Sequence, residues 1–216
     1  MERIIALLAA FILVCSLLLL ATERRHLHVR LYAVQSLFLA GVAFSVAFFH
    51  CERHIFIATG LILILKVIGI PFLLGRIIQR LVPQQPIKPT INVPSSLLIA
   101  AGLVLAADYL TRSILATGHE FELARNVLTV SLSVVLLGLL TMVTRKKALS
   151  QVLGFLTMEN GIFLAGIAIT AGMPMIVELG VFFDVLVAVV IMGVFLYRIS
   201  ETFDTINVEE LTRLKH

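Results

Sequence analysis

Apolar residues are arranged along the chain in long, nearly unbroken runs, and polar or basic segments separate these runs. The runs cover residues 4–22, 31–49, 55–75, 95–116, 124–143, 149–171 and 175–197. Each has roughly the 20 residues that an α-helix needs to cross the hydrocarbon core of a bilayer. The pattern therefore predicts an all-α fold, a polytopic membrane bundle of about seven transmembrane helices.

Composition agrees with this prediction. The 216 residues are 60% hydrophobic and 14% charged, with a mean hydropathy of +1.06, whereas soluble domains are roughly half apolar and a quarter charged. The formal charge of +4 could indicate a nucleic-acid partner, but the basic residues cluster between apolar runs, where they set topology. We expect a lipid bilayer as the partner of this surface and no nucleic acid.

The first apolar run could imitate a signal peptide. Its flank, Met1-Glu2-Arg3, carries one basic and one acidic residue, and no small-x-small cleavage site ends the run before Glu23. We therefore expect a retained helix. Cys15 and Cys51 give neither a disulfide framework nor a metal spacing.

The longest polar segment divides the chain. Residues 79–94 hold four of the six prolines, and we interpret this stretch as a proline-rich cytoplasmic loop. It separates a three-helix unit, residues 1–78, from a four-helix unit, residues 95–199. Residues 200–216 form a predicted cytoplasmic tail.

Orientation is predicted from the Lys and Arg residues of the loops, because acidic residues contribute little to topology. One set of loops holds twelve of them: Arg24, Arg25, Arg30, Arg76, Arg80, Lys88, Arg145, Lys146, Lys147, Arg198, Arg213 and Lys215. The other set holds four, which are Arg3, Arg53, Arg112 and Arg125. The asymmetry predicts an external N-terminus and a cytoplasmic C-terminus, as an odd number of helices requires.

Three ionisable residues fall near the middle of predicted helices. At about 1.5 Å per residue, Lys66 lies roughly 16 Å, Glu159 roughly 15 Å and Asp184 roughly 13 Å into its helix. A charge at the bilayer centre costs about 2.5–3.5 kcal/mol on insertion scales, so a retained one usually faces protein or water.

Two interpretations of these residues stay open. A buried Lys–carboxylate pair can simply fix helix packing, although desolvation offsets much of its Coulomb attraction. Alternatively, burial raises the pKa of a carboxylic acid and lowers that of an amine, so that such groups exchange protons near neutral pH. Two acids and one base on separate helices favour a proton relay through Glu159, Asp184 and Lys66.

Asp108 is a further intramembrane acid, four residues before Arg112. This spacing suits an ion pair on one helix face. Asp108 is therefore either an outer-side relay station or one half of a structural pair.

Local features also indicate how two helices are built. Gly154 and Gly161 share a face of the sixth helix, which would allow close packing against a neighbour and turn Glu159 elsewhere. Pro71 frees a backbone carbonyl one turn earlier, next to Lys66.

Common catalytic and cofactor motifs are absent. The sequence has no Walker A motif, no Gly-x-Gly-x-x-Gly and no His–Glu–His zinc pattern, and its six histidines lie in predicted loops or at an end. We expect no cofactor, no metal site and no catalytic centre in this polypeptide. Any catalysis would belong to partner subunits.

Residues 145–216 resemble the small K subunit of bacterial respiratory complex I. The shared features are the basic loop Arg145-Lys146-Lys147, the string Gly154-Phe-Leu-Thr-Met-Glu159-Asn160-Gly161, the acid Asp184 in the next helix, and a tail with Asn207 near acids. In complex I the first acid sits closer to the glycine, where this chain has Leu156, and the second acid is Glu. Three residues are nearly one turn, so Glu159 keeps a similar face.

The whole chain is similar to the hydrogenase-4 component E family in its length, in Lys66 followed by Pro71, and in Met158-Glu159-Asn160-Gly161. That resemblance implies a bacterial or archaeal cell (inner) membrane, antiporter-like membrane subunits alongside, and a cytoplasmic nickel–iron hydrogenase module or a relative of it. The function it implies is coupling of redox chemistry to proton translocation. Alternatives are a non-conducting structural subunit of that complex and a small subunit of a multi-subunit cation/proton antiporter. Neighbouring hydrogenase genes would favour the coupling or the structural subunit, and neighbouring antiporter genes would favour the antiporter.

Overall fold

The described part of the protein is entirely helical. The computed structural model describes residues 2–50, 59–60, 63–81, 92–114, 122–145 and 148–170, all within one unit, Met1–Val181. The helices are α1 (Glu2–Ala21), α2 (Arg25–His50), a π-helical segment (Leu63–Gly69), α3 (Ile70–Leu81), α4 (Val93–Ile114), α5 (Glu122–Thr144) and α6 (Ala148–Thr170).

Five of these helices are long and apolar enough to span a membrane. They are Arg3–Ala21, His26–Phe48, Val93–Ser113, Ala124–Thr144 and Leu149–Ile169. The prediction of a polytopic helical membrane protein is confirmed, with five spans among the described residues. The third predicted run is described in part, as the π-helical segment and α3, and the seventh lies outside the described residues.

The start of the second predicted run was wrong by six residues. The run begins at residue 31, whereas α2 begins at Arg25. The basic residues Arg25 and Arg30 therefore lie in the first turns of a helix instead of a loop. The helix begins before its apolar run because backbone hydrogen bonding continues through the preceding basic residues. The long side chain of Arg30 stays exposed there.

Side-chain hydroxyls inside the spans bond to their own helix. Thr111, Thr141, Thr144 and Thr157 each donate to the carbonyl oxygen four residues earlier, at 2.6–2.8 Å. Because lipid offers no hydrogen-bond partner, these back-bonds allow polar residues in apolar helices at little cost.

Glycines bring α5 and α6 into close contact. A Cβ atom at Gly138 would lie 2.7 Å from the carbonyl oxygen of Gly154, and one at Gly161 would lie 2.8 Å from the backbone nitrogen of Val135. The higher-numbered glycine of α6 meets the lower-numbered part of α5, so the two helices are antiparallel. The prediction that Gly154 and Gly161 form a packing face is confirmed.

The N-terminal helices pack against this pair. α1 contacts α2, α4 and α5, while α2 contacts α1, the π-helical segment, α3 and α6. Buried apolar residues of α1, α2, α5 and α6 form the main core, with Ile12, Leu39, Val134 and Leu164 fully buried. Helices that precede and follow residues 82–91, which lie outside the described residues, therefore share one core.

The π-helical segment is the irregular element of the bundle, and it carries Lys66. It ends at Gly69, two residues before Pro71. Proline has no N–H to return to the carbonyl one turn earlier, which disturbs the regular hydrogen-bond ladder at this point. Single-turn π-helical segments are frequent at functional sites because they re-aim side chains. The local break expected beside Lys66 is thus confirmed and is of the π type.

Candidate functional site

A buried ion pair joins the π-helical segment to α6. The Nζ atom of Lys66 lies 3.3 Å from Oε1 of Glu159, and the two side chains are 0% and 7% exposed. The long lysine side chain thus connects the two elements. Two acids were expected to approach Lys66. Glu159 is one of them, and in the described part of the structure it contacts the lysine.

The pair lies at membrane depth. Glu159 is the middle residue of α6, eleven residues from either end, which places it about 16 Å from each end of the helix. Gly154 and Gly161 face α5, so Glu159 points to a different neighbour, as expected. This neighbour is Lys66.

Two further groups contact the lysine ammonium. Lys66 Nζ donates a hydrogen bond to Asn160 Oδ1 at 3.1 Å, and it lies 5.7 Å from the centroid of the Phe163 ring. Phe163 follows Glu159 by one turn on α6, so it covers the ammonium with an apolar, electron-rich face. Among the described residues, the ammonium therefore contacts the Glu159 carboxylate, the Asn160 amide and the Phe163 ring.

Two separate hydrogen bonds between neutral side chains link the helices near the ion pair. Asn160 Nδ2 donates to Ser36 Oγ on α2 at 3.4 Å. The adjacent residue of α2, Gln35, donates through Nε2 to Ser16 Oγ on α1 at 2.9 Å. Ser16 in turn donates to the carbonyl of Ile12 at 2.9 Å. The side chains that form these two hydrogen bonds are all fully buried: Asn160, Ser36, Gln35 and Ser16.

Asp108, a further predicted acid, is placed differently. Asp108 lies on α4, where its Oδ2 atom is 2.8 Å from Nε of Arg112 and its side chain is 39% exposed. The i, i+4 ion pair expected there is present on an exposed helix face. Asp184 lies outside the described residues.

A second buried cation lies at the end of the bundle where α1 ends. Arg145 is 1% exposed and its Nη2 atom donates to the carbonyl of Leu20, in the last turn of α1. Burial lowers the pKa of the guanidinium from its usual value, and the negative charge of Glu23 opposes this shift. A cation at a helix C-terminus also interacts favourably with the helix dipole.

His28 is buried near the same end of the bundle. It lies in the second turn of α2 and is 0% exposed, which corrects the expectation that all histidines lie in loops or at an end. The imidazole is there because α2 begins earlier than its apolar run.

Several residues of the site were not assigned a role from the sequence. Gln35, Ser36 and Ser16 are uncharged, so a search for intramembrane charges passes over them. Arg145 was counted as a topological loop residue and as part of the basic loop shared with the K subunit, without a role in a site. The sequence did contain a signal for these residues, because polar side chains in the middle of apolar runs need hydrogen-bond partners inside the protein. Among the described residues, no group of three or more His, Cys, Asp or Glu side chains could hold a metal ion.

Comparisons with known proteins agree with this architecture. Residues 126–216 match the family model described as NADH-ubiquinone/plastoquinone oxidoreductase chain 4L. The uncharacterized protein Rv0085 of Mycobacterium tuberculosis is 36% identical over 189 residues, which cover 87% of this chain and 84% of the relative. Hydrogenase-4 component E of Escherichia coli K12 is 28% identical over 211 residues, which cover 96% of this chain and 95% of the relative. Hydrogenase-4 component E of Shigella flexneri has the same identity and coverage. No solved structure gives a significant match.

The matches span both halves of the chain, and the C-terminal family match contains α6 with its buried Glu159. The chain is therefore a multi-pass membrane protein that belongs to one family with Rv0085 of Mycobacterium tuberculosis, is similar to hydrogenase-4 component E along nearly its whole length, and matches chain 4L in its C-terminal part.

Proposed function

We propose that this protein is a membrane subunit of a hydrogenase-4-type, complex I-related assembly that couples redox chemistry in partner subunits to proton translocation. Glu159 and Asp184 are the protonatable stations, and Lys66 relays or tunes between them. The expected partners are antiporter-like membrane subunits and a cytoplasmic nickel–iron hydrogenase module or a relative, in the cell (inner) membrane. The similarity to hydrogenase-4 component E, 28% identity over 96% of this chain, supports this assignment.

The observation that carries the proposal is the Lys66–Glu159 pair in the middle of α6, at 3.3 Å and almost fully buried. An acid and an amine in direct contact within a low-dielectric region can exist as an ion pair or as a neutral pair after one proton transfer. A buried site of this kind is an intramembrane position at which a proton can be held and passed on.

Asp108 is proposed as an outer-side station. It is about 9 Å from the end of α4 at the helical rise, and its partly exposed carboxylate contacts Arg112. A partner or water at this face could receive a proton from it.

The test uses membrane vesicles that contain the intact complex, with proton movement followed by a pH-sensitive dye during redox turnover. Glu159→Gln keeps size and hydrogen bonding but cannot be protonated, so the complex should assemble and translocate fewer protons per turnover. Asp184→Asn should behave alike, with a smaller effect if water bypasses it. Glu23→Gln is the matched control because Glu23 is exposed in the α1–α2 connection. Wild-type coupling in Glu159→Gln would show that Glu159 is not a relay station.

A non-conducting structural subunit is the second candidate, because the same ion pair ties the π-helical segment to α6. In that case, replacing both partners with apolar residues should restore assembly and leave coupling unchanged. Single and double variants of Lys66 and Glu159 distinguish the two functions.

A further inference from the structure

The Asn160 side chain connects three helical elements through one amide group. Its Oδ1 atom accepts from Lys66 of the π-helical segment at 3.1 Å, and its Nδ2 atom donates to Ser36 of α2 at 3.4 Å. Asn160, Ser36 and Lys66 are each 0% exposed. Few groups can replace these contacts at this depth, since the surroundings are apolar.

The lysine ammonium determines which way the amide points, and Ser36 accommodates that orientation. A lysine ammonium has only donors, so it needs the amide oxygen, whereas a serine hydroxyl can accept from the amide nitrogen. A flipped amide would set two donors against each other at Lys66. With the oxygen at Lys66, the amide nitrogen is directed to Ser36, whose hydroxyl accepts from it and so supports this orientation.

The chemistry of an amide explains why this contact survives a proton transfer. An ammonium has three N–H donors and a neutral amine still has two, while the Asn160 oxygen does not titrate. Proton transfer from Lys66 to Glu159 removes the Coulomb attraction of the pair but leaves a donor for Asn160. The lysine nitrogen then stays near Glu159 instead of turning away.

We propose that Asn160 is a positioning residue that holds the Lys66 nitrogen beside Glu159 in both protonation states, and that Ser36 supports it by accepting from its amide nitrogen. This inference rests on the proposed proton-coupling function. It assigns roles to two uncharged residues, on α6 and α2, that a search for intramembrane charges overlooks.

The experiment measures complex yield and coupled proton translocation across pH in vesicles that contain the intact complex. Asn160→Leu should lower coupled translocation by about tenfold to a hundredfold, because small misplacements of a reacting group have effects of this size. Asn160→Asp keeps the size of the side chain but puts a second carboxylate against Lys66, so the pH optimum of coupled translocation should move upward.

A double-variant comparison separates positioning from simple packing. If Asn160 acts through Lys66, adding Asn160→Leu to Lys66→Met should reduce coupling no further, since interacting positions are non-additive. Additive losses would overturn the inference.

Ser36→Ala covers the case in which Asn160→Leu fails to accumulate. Its matched control is Ser45→Ala on the same helix, because Ser45 donates only within α2, to the carbonyl of Gly41 at 2.8 Å. Ser36→Ala should lower coupling and Ser45→Ala should not, and equal behaviour of the two variants would overturn the inference. If Glu159→Gln couples normally, the proposed function itself fails. If Glu159→Gln is uncoupled while Ser36→Ala and Asn160→Leu are normal, only the positioning role fails.

Discussion

Replacing Lys66 with Met tests whether the buried ion pair conducts protons or only stabilises the bundle. The Lys66 side chain is fully buried and lies 3.3 Å from Glu159. Methionine has a similar length and flexibility, so the substitution removes the charge and leaves most of the apolar packing. It leaves Glu159 with no cation at this position and leaves the Asn160 oxygen without this donor.

The expected magnitude can be worked out from the contact distance. Two unit charges 3.3 Å apart attract by about 5 kcal/mol at an effective dielectric constant of about 20. Desolvation offsets part of this attraction, and breaking a buried pair from one side costs about 3–5 kcal/mol. The unmade hydrogen bond at Asn160 adds about 1–3 kcal/mol for a buried acceptor left unsatisfied. Glu159 can relieve most of the first cost by binding a proton, which makes it neutral.

The two functions differ in the consequence of this proton uptake. In a relay, Glu159 is trapped in its protonated form, so the complex assembles, coupled turnover falls, and the pH optimum moves upward because a higher pH is needed to release the proton. In a structural subunit, Lys66→Met lowers the yield of the complex. The double change Lys66→Met plus Glu159→Leu then restores it.

The assay combines two measurements on the single and double variants. Complex yield is taken from affinity purification in mild detergent, and proton translocation per redox turnover is taken from vesicles at several pH values. The relay would be refuted by a double variant that assembles with normal yield and couples like the wild type. A single variant with normal yield and a normal pH profile would contradict both functions of the pair.

Three further predictions concern the rest of the molecule. A reporter fused to the C-terminus should be cytoplasmic and one inserted within residues 118–123 external, whereas two cytoplasmic reports would contradict the predicted seven-helix topology. Gly138→Ala should destabilise the purified protein in thermal unfolding by about 1–3 kcal/mol, since its Cβ would meet the backbone of α6 at 2.6 Å. Gly102→Ala has open space, and an equal loss there would refute the packing argument. Arg145→Met should lower yield because a charge-assisted hydrogen bond to Leu20, contributing about 1.5–3 kcal/mol, is lost. Arg30→Met removes the same charge from an exposed position, so equal effects of the two would indicate topology instead of capping.

Much of the fold could be predicted because apolar run length is a direct physical requirement of the bilayer. Residues 124–143 and 149–171 were predicted as spans, and the helices Glu122–Thr144 and Ala148–Thr170 differ from them by one or two residues at each end. The prediction was less accurate at the start of α2. Helical hydrogen bonding does not stop where hydrophobicity stops, and basic residues continue a helix into the interface.

The candidate site could be predicted only in its charged members. Lys66 and Glu159 are conspicuous because a charge in an apolar run is costly. Ser16, Gln35 and Ser36 are polar but uncharged, and their significance depends on which helices pack together. Arg145 shows the opposite case, since a loop arginine looks solvated in sequence and is buried only because α1 ends beside it.

The sequence by itself determined that this chain is a helical membrane protein, where its main spans lie, and which charged residues need partners inside it. These properties follow from local energies, namely the transfer of apolar segments into lipid and the cost of a buried charge. The tertiary structure decided that Glu159 approaches Lys66, and that Asn160 joins the pair to Ser36 on α2. These contacts connect residues more than ninety positions apart. They depend on helix packing that glycines and a π-helical segment set in three dimensions, and run lengths carry no information about such distances.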